Sequence, residues 1–148
     1  MQDPTLTSPA DGGFGANRIA FHHRGDLYVA NTDRGTIVRI PVGPGDAPGT
    51  PQVVISDPRL VGADGLAFDV RGRMYATTSS DGNSLVRIDH GDIRVLADAG
   101  DGLDYPASIA FSTRPGERRE LYIADDGGSF GNPAVVRTRV STPGVRLP

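Results

Sequence analysis

The chain has 148 residues, a formal net charge of −3 and no cysteine. This length is that of about one domain, and the weak acidic charge predicts neither a nucleic-acid partner nor binding to a membrane. Without cysteine these residues can form no disulfide, no thiolate zinc site and no cysteine nucleophile. Twenty glycines and twelve prolines indicate many turns, which favours short strands over long helices.

Residues 1–15 are predicted to form an N-terminal connection, because they are rich in Pro, Gly, Ser and Thr and show no periodicity. They contain no basic segment followed by an apolar core, so we predict no signal peptide. No stretch of the chain approaches the ~18 consecutive apolar residues that a membrane span requires.

Residues 16–148 repeat one phrase three times. An apolar residue followed by Tyr begins the second strand of a hairpin at Leu27, Met74 and Leu121, with a spacing of 47 residues both times. A fixed period of this length is typical of a repeat architecture. The strands predicted around this phrase are 19–21, 26–31, 36–42 and 52–56 in the first unit, 65–68, 73–77, 84–88 and 93–97 in the second, and 108–111, 120–124 and 134–140 in the third.

Four-stranded antiparallel units at this period are blades of a β-propeller. We therefore predict an all-β fold of three blades, at about residues 16–61, 62–105 and 106–148, the third without its outer strand because the sequence after residue 140 is a poor strand. Propellers ordinarily have about four to eight blades, so the chain corresponds to half of one. Three blades form an arc, which is expected to leave two sheet faces uncovered and strand edges exposed.

The phrases themselves resemble a known family. Gly-Ala-Asn-Arg-Ile-Ala-Phe at 15–21, Ala-Asp-Gly-Leu-Ala-Phe-Asp at 63–69 and Pro-Gly-Val-Arg-Leu-Pro at 143–148 are similar to the gluconolactonase/regucalcin (senescence marker protein) superfamily. The resemblance covers nearly the whole chain and implies the C-terminal half of a six-bladed β-propeller. NHL-type propellers, which are non-catalytic scaffolds, share the hairpin phrase.

The resemblance also implies a site. Family members hold one divalent cation, usually calcium, at the top of the central channel, and hydrolyse a lactone or a related small ester. Asn17 matches the family's asparagine ligand and Asp64 its aspartate ligand, which is also the candidate catalytic base. A glutamate ligand and a second asparagine would belong to the other half of the ring. Arg18 departs from the glycine that usually follows the asparagine. Bacterial members are often secreted or cytoplasmic, so the resemblance leaves the compartment open.

The residues alone support part of this interpretation. Asn17, Asp64 and Ala107 occupy the same position of the three repeats, at the start of each entry strand. Hard cations prefer carboxylate and carboxamide oxygens, and a propeller brings its entry strands together around one axis. If the side chains only capped turns, we would expect Asx or Ser/Thr in all three repeats, whereas the third has Ala107.

Other polar groups favour plainer roles. His22 and His23 are adjacent at a predicted strand end, so their side chains are expected to point to opposite faces and not to chelate together. Three hypotheses about function follow: a metal-dependent lactonase-type hydrolase within a larger propeller, a non-catalytic propeller that binds a small molecule or a protein, and an inactive truncated remnant. The arc further predicts either a missing N-terminal half or a homodimer, two copies of which would close six blades.

Overall fold

A computed structural model describes residues 2–80, 82–128 and 131–146. Three antiparallel sheets follow one another along the chain, two with four strands and the third with three. This confirms the predicted all-β fold of three blades, the last without its outer strand. The strands are β1 (Ala16–Phe21), β2 (Leu27–Asn31), β3 (Thr36–Ile40), β4 (Gln52–Ser56), β5 (Ala63–Phe68), β6 (Met74–Thr78), β7 (Ser84–Asp89), β8 (Asp92–Ala97), β9 (Pro106–Phe111), β10 (Glu120–Asp125) and β11 (Ala134–Arg139).

Each sheet is a simple meander, so its strands lie side by side in chain order. The entry strands β1, β5 and β9 pack against one another and form the inner side of the arc. Among the described residues, no helix is long and apolar enough to cross a membrane. The last two residues of the tail phrase at 143–148 lie outside the described part of the chain.

Apolar side chains fill the space between neighbouring blades. One cluster joins the first and second blades and includes Ile37, Leu60 and Leu66, while another joins the second and third and includes Leu85 and Leu121. Four of these five side chains are completely buried, and each such residue contributes about 1.5–3 kcal/mol of burial free energy. The blades are thus held together face to face, with successive residues of a strand facing opposite neighbours.

The N-terminal connection packs on the outer face of the first blade. The Asn31 side-chain amide donates hydrogen bonds to the carbonyls of Thr5 and Thr7, both at 3.0 Å. Leu6 packs against a small cluster of Val29, Val38 and Ile40 on this face. The expectation that both terminal blade faces are uncovered is therefore wrong for the first blade, because residues of the connection fold back over it.

A buried carboxylate organises the turn between β5 and β6. The Asp69 side chain is fully buried, and its Oδ1 accepts hydrogen bonds from the backbone N–H groups of Arg71 and Arg73 at 2.9 and 3.1 Å. Its Oδ2 accepts from Nε of Arg73 at 2.7 Å and from the Tyr75 hydroxyl at 3.3 Å. Arg73 also donates from Nη2 to the Thr142 hydroxyl. Burial, together with the nearby Asp69 charge, raises the pKa of Tyr75.

The tail after β11 returns to this same turn. The backbone N–H of Val70 donates to the Pro143 carbonyl at 2.9 Å, and that of Val145 donates to the Phe68 carbonyl at 3.1 Å. Gly144 forms an isolated antiparallel bridge with Asp69. The tail therefore ties the end of the third blade to the second blade.

Candidate functional site

The three entry strands carry an irregularity at the same repeat position. Register shifts interrupt the β1–β2, β5–β6 and β9–β10 pairings next to Asn17, Asp64 and Ala107 respectively. A β-bulge bends its strand and re-aims side chains, and such bulges are frequent beside active sites. The entry strands also begin earlier than predicted, so that these residues lie inside strands and not in the turns before them. The repeat equivalence of the two candidate ligands and Ala107 is thus a structural one.

Hydrogen bonds connect the bulge of the first blade to the second blade. The Asn17 amide Nδ2 donates to Oγ1 of Thr32 at 3.1 Å, and this hydroxyl donates to the Ala63 carbonyl at 2.8 Å. Asn17 is therefore linked, through one hydroxyl, to the residue preceding Asp64. Thr32 was not predicted from the sequence, although a second hydroxyl, that of Ser79, follows it by 47 residues and donates to the Gly62 carbonyl of its own blade at 3.3 Å.

A similar bridge joins the second blade to the third. Oγ1 of Thr77 accepts from the Gly65 N–H at 2.8 Å and donates to the Ala107 carbonyl at 3.0 Å. Gly65 has no room for a side chain, because a Cβ there would lie 2.5 Å from Oγ1 of Thr77 and 2.9 Å from the Ala107 carbonyl oxygen. Small residues and hydroxyls thus bring the three bulges together at one end of the arc.

The carboxylate of Asp64, a candidate metal ligand, forms an ion pair with Arg18. Nη2 of Arg18 lies 3.3 Å from Oδ1 of Asp64, and the two side chains are 40% and 23% exposed. This contact is longer than the 2.7–2.9 Å typical of charge-assisted hydrogen bonds, so the pairing is loose and open to solvent. Asn17 is exposed. The structure therefore brings the two predicted ligands to one rim and adds a competing cation from the protein itself.

The candidate metal ligands in this chain are two, Asn17 and Asp64. Across residues 2–80, 82–128 and 131–146, no three His, Cys, Asp or Glu side chains are placed to hold a metal ion together. The Asn17 and Asp64 oxygens are of the type that hard divalent cations bind, but calcium takes six to eight oxygen ligands. The donor chemistry fits calcium, and the donor number is incomplete in a single chain.

The inner side of the arc is an apolar groove of about 740 Å³. Each entry strand contributes an apolar–Ala–Phe phrase to it, ending at Phe21, Phe68 and Phe111. Arg146 and the two adjacent histidines line the groove as well. The histidines follow β1, whereas Asn17 lies near its beginning, about 16 Å away at the usual strand rise. The groove therefore has apolar walls and is lined by the histidine pair at one end, while Asn17 lies outside its lining.

The sequence predicted that the side chains of His22 and His23 point to opposite faces, and this prediction is wrong. Both lie in the turn after β1, where strand alternation no longer applies, and their ring centroids are 4.0 Å apart. The His22 ring also packs edge-on against Phe68, with centroids 5.1 Å apart. Burial, followed by the positive charges of His23 and Arg24, lowers the pKa of His22. The neutral imidazole is therefore favoured, and the ring acts as an aromatic wall of the groove.

Comparison with solved structures identifies the architecture. A luciferin-regenerating enzyme matches 88% of the chain with a TM-score of 0.70 and 16% sequence identity. A structural-genomics target provisionally named a gluconolactonase matches 90% with a TM-score of 0.67 and 20% identity. The periplasmic gluconolactonase PpgL of Pseudomonas aeruginosa matches 92% with a TM-score of 0.51 and 20% identity. The chain has the fold of part of a gluconolactonase-like β-propeller.

This gluconolactonase-like arc spans less than half of each structure it matches: 47%, 41% and 44% of their lengths, in the same order. No protein-family model matches the chain, and no curated protein sequence does. The TM-scores establish a shared fold, and at 16–20% identity the likeness extends to the fold alone. Metal binding by Asn17 and Asp64 remains a prediction.

Proposed function

We propose that the chain forms part of a divalent-cation-dependent hydrolase of lactones or related small esters, with Asn17 and Asp64 as metal ligands. The observation that carries this proposal is the hydrogen-bonded path from Asn17 through Thr32 to the Ala63 carbonyl, which links Asn17 to the residue before Asp64 on the adjacent blade. The names of two structural neighbours, one a periplasmic gluconolactonase and the other provisionally named a gluconolactonase, support the same class of substrate.

Asp64 is the residue of this chain suited to proton transfer. A divalent cation bound beside it, probed first as calcium, would polarise the ester carbonyl. The Asp64 carboxylate would accept a proton from the water that adds to the carbonyl carbon. The ring C–O bond then breaks, and the released oxygen takes the proton held by Asp64, which gives the open hydroxy acid and restores the Asp64 carboxylate. Asn17 would orient the ligand shell without exchanging protons, because a carboxamide does not titrate.

The test is a thermal melt of the full chain in calcium and in chelator, beside Asp64→Ala. Calcium at a hundred times its dissociation constant adds about 2.7 kcal/mol to the free energy of unfolding, which raises the Tm of a domain of this size by roughly 5–10 °C. We expect this rise in the parent chain and its loss in Asp64→Ala. Asp26→Ala is the matched control, since it removes an aspartate ion-paired to Arg39 at 2.7 Å near the opposite end of β1.

A separate observation favours a second candidate function, that of a non-catalytic propeller scaffold. The Arg18 guanidinium lies beside Asp64, where it supplies the positive charge that a metal would bring. A non-catalytic propeller scaffold would use this ion pair to complete its rim without calcium. For this alternative we expect identical melts of the parent chain in calcium and chelator, and a calcium-dependent rise only in Arg18→Gly. Hydrolysis of a panel of aldonolactones by the parent chain, lost in Asp64→Ala, would reject the scaffold.

A further inference from the structure

One face of the third blade is exposed, although the equivalent faces of the first and second blades are buried. In the first blade Ala30 on β2 lies opposite Ile37 on β3, and in the second blade Thr77 on β6 lies opposite Leu85 on β7. All four residues are completely buried. The Ile37 pair packs in the cluster shared with the second blade, and Leu85 packs in the cluster shared with the third. This repeat position therefore faces the following blade.

In the third blade the same pair is open to solvent. Ala124 on β10 lies opposite Val135 on β11, in the same register as the two buried pairs. Val135 is 74% exposed and Ala124 is also exposed, and none of the described residues covers them. The neighbouring Tyr122–Arg137 pair repeats Tyr–Arg pairs found on the other two blades. The open face thus has the side chains of a face that binds another blade.

The opposite end of the chain offers a surface of the matching kind. The sequence Asp-Pro-x-Leu occurs at 3–6 and again at 57–60, and both copies form a 3₁₀ turn capped by the aspartate. The second copy runs between the first and second blades, where Leu60 is fully buried in the same cluster as Ile37. The first copy places Leu6 on the first blade, where it is only half-buried. Leu6 thus occupies on the first blade the position that Leu60 occupies on the second. Among the described residues, no side chain from a preceding blade covers Leu6 in the way that the first blade covers Leu60.

We propose that a second copy of this chain occupies the open face. The third blade of each copy would pack on the Asp-Pro-x-Leu turn and first blade of the other, placing Val135 against Leu6 as Ile37 lies against Leu60. Two such identical contacts around a two-fold axis close a ring of six blades and leave no blade face exposed. The count agrees with the comparisons, because three blades span 41–47% of the propellers that the chain matches.

This arrangement rests on the blade faces alone, so it does not depend on catalysis. It would nevertheless bring two Asn17–Asp64 pairs to one rim, doubling the oxygen ligands that a single chain supplies. Its failure is also distinguishable from failure of the proposed function: a dimeric ring without a calcium response rejects only the function, and a monomer that binds calcium rejects only the ring.

The test is the mass in solution, by light scattering on a sizing column at micromolar concentrations. We expect twice the 15.5 kDa of one chain, and a shift to the single-chain mass in Val135→Asp. The matched control is Val70→Asp, which places the same charge at another exposed valine (46% exposed, against 74% for Val135) in the β5–β6 turn and leaves the mass doubled. A single-chain mass for the parent protein would overturn the proposal, as would an unchanged dimer in Val135→Asp.

A second measurement does not require the variant to weaken an interface. Since the chain has no cysteine, Leu6→Cys with Val135→Cys introduces the only two thiols. Under mild oxidation we expect a covalent dimer on a denaturing gel, and none when Val70→Cys replaces Val135→Cys. Equal cross-linking of the two pairs would show random collision and would contradict the ring.

Discussion

Replacing Asp69 with alanine is expected to destabilise the protein more than any change at an exposed ion pair. The substitution leaves the Arg73 guanidinium, 11% exposed, without its carboxylate, and removes the acceptor of two backbone N–H groups and the Tyr75 hydroxyl. Removing one partner of a buried pair costs about 3–5 kcal/mol. For a domain of this size that corresponds to a fall in Tm of roughly 6–20 °C.

Urea and thermal unfolding measure this cost, with Asp26→Ala as the control. The Asp26–Arg39 pair has an equally short contact of 2.7 Å, but its side chains are 18% and 37% exposed, so water screens the pair and its removal should cost much less than the loss of Asp69. The double variant Asp69→Leu with Arg73→Met should recover part of the loss, because it leaves no unpaired buried charge. An Asp69→Ala protein as stable as the control, or a double variant with simply additive losses, would refute the reasoning.

Two further changes test the packing and the charges of the blades. Gly65→Ala is expected to cost at least about 2 kcal/mol by urea unfolding, because its Cβ would collide with Thr77 and with the backbone of the third blade; Gly43→Ala, whose Cβ meets nothing closer than 3.5 Å, should be neutral or stabilising. Hydrogen bonds from Arg59 lower the pKa of Asp57 to about 2, so this carboxylate stabilises the fold above its unfolded pKa of about 3.8 and loses that effect as the pH falls towards 2. Asp57→Asn keeps the turn cap but should flatten the loss of stability between about pH 4 and pH 2; a parallel decline in both proteins would contradict this assignment.

The fold was predictable because the same hairpin phrase occurs three times in the sequence. The spacing of Leu27, Met74 and Leu121 located the hairpins, and the predicted outer strand of the first blade coincides with β4. The period of 47 residues is recognised from short sequence phrases, and these can be seen in a single sequence without a structure. The early start of the entry strands was missed, because a bulge with Asn17 or Asp64 has the composition of a turn.

The contacts that shape the site could not be predicted in the same way. The Arg18–Asp64 ion pair joins residues of different blades, and Asp69 lies in a polar turn that pairs with Gly144 of the tail, 75 residues later. Residues 3–6 repeat the Asp-Pro-x-Leu sequence of residues 57–60, but the role of this sequence at a blade face is visible only in the structure. In each case the deciding partner is distant in sequence, and a side chain's environment is set by that partner and not by its neighbours.

The return of the tail to the second blade has a consequence for how the arc comes apart. In a linear stack of repeats, a terminal unit is held by one interface and opens before the middle of the stack. Here the third blade is held by its interface with the second blade and also by the backbone bonds of Pro143 and Val145 to the β5–β6 turn. It can peel away only when both give way together. In an isolated chain the second and third blades therefore open as one cooperative unit, and amide protons of the first blade exchange with solvent sooner than those of the third.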